Sequence, residues 1–299
     1  MLSQEQCSIP ELPTIWTARA TLETVKIVDT AAGDLKTHVA ESKPFILNKL
    51  PDLVTVLAEP SVKASLDLYR VQLSAQALVR VTGRGQMPWS SDRCSRVGDV
   101  MKSAVPDNVR NVGPRQEFID QVSIFGCDHK CRWYGAERNG IANVRYMHSG
   151  SRNVIICTFG AVKIVAAKHN IKIQEKESVL EWAKRVLGAM TPEDVDNIKG
   201  KVWSCTQMAG QLLYMPMASF VVEQTVAQQA GDELTAEEKR KCVIVGLRTH
   251  FVEPVHDEMP SWNDFKDMVA MQEAQGFHDD KILAFWKTLL GVLKSRLKA

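Results

Sequence analysis

Two β-rich runs, residues 141–146 and 153–159, stand on either side of Ser149-Gly150-Ser151. A glycine-containing linker between such runs is a hairpin signal. Strands cannot leave their backbone groups unpaired in a core, so the rest of the chain must supply partners. Further strand segments are available at 202–205, 211–215 and 220–226, and in the β-branched run 242–251. This middle third therefore reads as a sheet-forming unit.

Helical signals surround it. Residues 176–187 place Val179, Leu180, Ala183, Val186 and Leu187 on one face, with Gly188 as the expected stop. Thr191-Pro192-Glu193-Asp194 has a capping residue, a proline at the first helical position and acids in the first turn. Residues 161–167 fit either an extension of the sheet or the start of a helix. A short charged helix is expected from Thr235 through Lys241. Ser261 is expected to cap a helix running towards Gln275, and a last helix starts near Asp279 and ends near Leu297. At the other end, residues 14–42 read as helical around Ala18, Leu22, Val25 and Val28, until Pro44 ends the region. Pro51-Asp52 marks a turn or helix start. Residues 66–81 alternate in part and suggest one or two strands. Residues 83–116 are rich in proline, glycine and charge, and suggest a long surface connection.

The expected division is an N-terminal helical region at 1–65, strands and a long loop at 66–116, a β core at 117–252 with a helical insert at 176–198, and C-terminal helices at 253–299. The fold class is α+β, with helices at both ends.

Composition excludes several classes. The 299 residues are 45% hydrophobic and 24% charged, which is ordinary for folded chains and too apolar for disorder. The net charge is +2 and the pI about 8.1, so nucleic acid is not indicated as a partner. The basic residues Lys294, Arg296 and Lys298 suit a helix C-terminus. No run reaches the roughly 18 apolar residues of a membrane span, and Met1 to Pro10 has no signal-peptide core. Seven irregularly spaced cysteines argue against a disulfide framework. They point to a reducing compartment, cytoplasmic or nuclear.

Two segments carry a family resemblance. The first is Asn143-Val144-Arg145-Tyr146-Met147-His148-Ser149-Gly150-Ser151-Arg152-Asn153-Val154-Ile155-Ile156. The second is Gly210-Gln211-Leu212-Leu213-Tyr214-Met215-Pro216. Together they resemble the JmjC/cupin class of double-stranded β-helix. There a strand with an asparagine enters a glycine turn, and a Gly-Asp-x-Leu-x-x-Pro turn later returns the chain to the barrel. Gln211 replaces the acid here. The resemblance implies a cupin-like core in one closed sheet, with the helical insert between its strands. It also implies an iron site of His-x-Asp/Glu plus a second His, leaving positions open for 2-oxoglutarate and oxygen. In this chain the first motif falls at Glu137-Arg138-Asn139 and the second histidine at Val221. A valine cannot ligate a metal, so the resemblance implies a relative that has lost its iron.

Other constellations carry metal-ligating residue types. Cys127, His129 and Cys131 alternate, but zinc needs a fourth ligand, from Cys94 or His148, and its usual spacing is different. His256-Asp257-Glu258 and His278-Asp279-Asp280 have a His-x-acid spacing beside helices, where acids favour a helix start. There is no phosphate loop, nucleophile elbow or dinucleotide fingerprint. Cys157, Cys205 and Cys242 lie in apolar runs, where thiols are inert. Trp182, Trp262 and Trp286 fall at packing positions.

The expectation is a non-catalytic cupin/JmjC-like module that binds a ligand or partner, with no cofactor. The first alternative is an oxygenase using Fe(II) and 2-oxoglutarate through atypical ligands, with His129, Glu137 and His148 as candidates. The second is a structural, self-associating protein.

Overall fold

A computed structural model describes residues 11–28, 34–48, 50–64, 66–68, 84–88, 97, 100–101, 123–127, 132–136, 140–226, 244–250, 255–276 and 281–297. A 3-10 helix, Thr14–Thr21, leads into strands β1 (Glu23–Thr24) and β2 (Lys26–Val28). Helix α1 (Asp34–Ala40), β3 (Phe45–Leu47), α2 (Pro51–Leu57), β4 (Arg84–Pro88), β5 (Ser123–Cys127) and β6 (Arg132–Ala136) follow. Next come β7 (Asn143–Ser149), β8 (Ser151–Thr158), α3 (Phe159–Lys168), α4 (Val179–Ala189) and a second 3-10 helix, Pro192–Ile198. Strands β9 (Val202–Met208), β10 (Leu212–Met215), β11 (Ser219–Thr225) and β12 (Ile244–His250) precede α5 (Pro260–Ala274) and α6 (Lys281–Leu297). The protein is α+β.

The strands form two sheets, not one closed sheet. Their orders are β1-β9-β8-β11-β6 and β2-β3-β10-β7-β12-β5-β4. Gly150 does not close a hairpin within a sheet, because β7 and β8 belong to different sheets. It carries the chain from one layer to the other, and Gly210 does the same between β9 and β10. Gly150 has φ +77, and a Cβ there would lie 2.5 Å from Ile244 Cγ2. Only glycine fits such a turn without strain.

The pairings between β5 and β12 have a simple order. Antiparallel pairs join β5 to β12, β6 to β11, β7 to β10 and β8 to β9. A chain doubled back on itself gives those pairs. Winding the doubled chain then adds β7–β12 and β8–β11, which are also present.

Side-chain alternation divides the apolar residues. Val25, Ile46, Val154, Ile156, Trp203, Cys205, Leu213, Met215 and Val221 form a cluster, drawn from both sheets. The opposite faces, including Val144, Ile155, Leu212, Phe220 and Leu247, join a larger cluster with the helices. Phe45 stacks on Tyr214 with centroids 4.5 Å apart, and Trp286 meets Phe265 edge-on. Helix α3 is capped by Thr158, whose Oγ accepts from Ala161 N, and α4 starts in a Ser178–Glu181 capping box.

Several expectations need correction. Residues 23–28 are extended, not helical. Leu22, Val25 and Val28 are spaced like a helix face, yet the spacing arises because the segment crosses from one sheet edge to the other. It pairs with β9 and then with β3. The N-terminal region is therefore not purely helical. Of the strands expected at 66–81, residues 66–68 are helical and 69–81 lie outside the described residues. The expected loop at 83–116 contains β4, which pairs antiparallel with β5 and ends on Pro88, as suits an edge strand. Residues 161–167 are helical, so the insert between β8 and β9 begins at Phe159. Gly188 lies inside α4. Helix α5 begins on Pro260, with Met259 in the cap position. Ser261 N and Oγ instead meet Ser42 Oγ at 2.9 Å. The helix expected at 235–241 lies outside the described residues.

Candidate functional site

The space between the sheets is apolar at one end and polar at the other. Strand register fixes which side chains share it. On the larger sheet Arg145 is aligned with Leu213 and Arg248, and Asn143 with Met215 and His250. On the smaller sheet Arg152 is aligned with Gln207 and Thr225, and Glu223 with Val154. All these polar residues are buried.

Glu223 is the centre, with only 3% of its surface exposed. Its Oε2 accepts from Arg152 Nη1 at 2.7 Å and from Arg145 Nη1 at 3.2 Å. One guanidinium comes from each sheet, so the carboxylate ties the two layers together. Arg152 Nε and Nη2 donate to Gln207 Oε1 at 3.1 and 2.8 Å. Gln207 Nε2 in turn donates to the Arg145 carbonyl at 2.7 Å. Arg145 Nε donates to Asn143 Oδ1 at 3.2 Å, while Asn143 Nδ2 is buried without a partner. Burying ions costs several kcal/mol each unless they are matched and hydrogen-bonded. The network meets part of that demand: two guanidiniums share one carboxylate, and amide oxygens of Gln207 and Asn143 accept from their remaining donors.

The expected metal positions are distributed as follows. Val221, where the resemblance puts a second histidine, lies in the apolar cluster with Ile156 and Trp203. His148 sits at a bulge in β7: Met147 is opposite Gly246 and Ser149 opposite Val245, so the strand has one extra residue there. His129 and Glu137 lie outside the described residues, as do Cys94, Cys131, Cys242 and the 278–280 motif. Cys127 ends β5. His256 to Glu258 form a turn before α5, where the Asp257 carbonyl accepts from Asn263. Among the described residues no three His, Cys, Asp or Glu side chains converge as a metal group.

Cys157 and Cys205 are buried free thiols, and burial pushes both pKa values up to about 12. Trp182, Trp262 and Trp286 are buried in the core. Burial works against ionisation of Asp194. Hydrogen bonds from Lys168 Nζ at 2.6 Å, Thr191 N at 2.9 Å and His169 at 3.0 Å outweigh it and hold the pKa below the ordinary value. That cluster fastens the end of α3 to the second 3-10 helix. Burial raises the pKa of Asp264, against the opposing Gly160 N–H bond of 2.8 Å at the start of α3.

A second feature lies on the outside of the smaller sheet. An open depression of about 510 Å³ is lined by Glu11, Thr14, Trp16, Thr17 and Gln224, among others. The Arg19 guanidinium lies 5.5 Å from the Trp16 ring centroid. Arg19 Nη1 also donates to Asn153 Oδ1 at 3.0 Å, and Thr206 Oγ1 donates to the same oxygen at 2.6 Å. Gln224, Asn153 and Thr206 are aligned across three strands.

Sequence reasoning missed both features. Arg145, Arg152 and Glu223 stand in apolar strands, where a charge reads as the solvent side of an alternating pattern. The available signal was three charges at inward parity on strands that must pair.

Fold and site together define an α+β protein whose two-sheet core encloses a charged, hydrogen-bonded cluster. No model of a known protein family matches the chain, and no curated protein matches it.

Proposed function

We propose that the chain is a non-catalytic binding or interaction module built on a cupin-like double-stranded β-helix. The strand pairing supports the fold reading. Eight strands in the orders β10-β7-β12-β5 and β9-β8-β11-β6 follow the wound-ribbon plan of jelly rolls and cupins. Helices α3 and α4 lie between β8 and β9, where the family carries an insert.

One observation carries the functional reading. On β11 two of the inward positions are Val221, which is apolar, and Glu223, whose carboxylate oxygen is engaged by two guanidiniums. A metal at this strand would have to displace Arg145 and Arg152 from that carboxylate. Elemental analysis after anaerobic loading with Fe(II) and 2-oxoglutarate tests the reading. The expected result is iron well below one equivalent. Stoichiometric iron that alanine substitutions at His129, Glu137 or His148 remove would replace the module by an oxygenase.

A second reading is self-association. Strand β2 is the edge of the larger sheet, and its Ile27 is 61% exposed. Exposed apolar edges pair readily with other chains. Light scattering over a hundredfold concentration range decides it: a strict monomer removes this reading.

A further inference from the structure

We draw no further inference here: the strongest candidate, the side-chain cluster of Arg145, Arg152 and Glu223 buried between the two sheets with the unpartnered Asn143 Nδ2 beside it, belongs to the site already described.

Discussion

Replacing Glu223 by Gln removes the one charge that both buried arginines share. The carboxylate is 3% exposed and receives guanidinium donors at 2.7 and 3.2 Å. The amide keeps one acceptor and turns a donor towards a cation. Two positive charges then face each other across the sheets, with little water to screen them. Removing one partner of a buried ion pair costs about 3–5 kcal/mol. Domain stabilities run to about 5–15 kcal/mol, so the loss is a large share of the total. Urea unfolding followed by tryptophan fluorescence at pH 7 measures it, with the slope checked for two-state behaviour. A loss under about 1 kcal/mol would refute the account of Glu223 as the tie between layers. The companion variant is Arg145→Met, Arg152→Met and Glu223→Leu together. It removes the desolvation cost with the charges, a gain of about 1–4 kcal/mol, but leaves the buried Gln207 Oε1 and Asn143 Oδ1 without the guanidinium donors they accept from, at about 1–3 kcal/mol each, and is expected to be much less damaging than Glu223→Gln. A triple variant as weak as Glu223→Gln would show that the charges are needed for more than mutual compensation.

Gly150→Ala forces a Cβ against Ile244 at φ +77, and a loss of about 1–3 kcal/mol in thermal or urea unfolding is expected. An unchanged midpoint would contradict the crossover described at Gly150. Asp194 has a depressed folded pKa, so its contribution is complete above the unfolded value of about 3.9. It fades as pH falls through the folded value. Asp194→Asn should therefore lower stability at pH 7 and flatten the acid limb of a stability-versus-pH curve; parallel curves for the two proteins would disprove this. Cys157 and Cys205, with thiols near pKa 12, should resist iodoacetamide at pH 8 while folded and react in urea. Peptide mass mapping reads the difference, and modification of either in the native chain would count against their burial.

Much of the β core was legible because its strands are apolar and separated by turn residues. The strands at 143–149, 151–158, 212–215, 219–225 and 244–250 match the expected runs closely. Their assignment to layers was not legible. Nothing in Ser149-Gly150-Ser151 says whether a turn stays in a sheet or leaves it. That is decided by Ile244, which is far away in sequence and packs on Gly150. Strand β4 was hidden by Gly85 and Pro88, which are breakers locally but harmless in an edge strand paired to β5. The buried arginines were hidden for a similar reason. Charge is a good guide to exposure only when no partner crosses from another strand, and Glu223 does so here.

The passage from Glu23 to Val28 has a consequence for how the chain may be cut. With only Val25 between them, its two strands are the outermost of one layer and then of the other, and Val25 N donates to Ser204 O at 2.9 Å on the way. It works as a lace threaded through two opposite margins of a shoe. A fragment starting after Val28 would lose both margins and the Val25 plug in a single stroke, so trimming the N-terminus by a few dozen residues amounts to surgery on the β core itself.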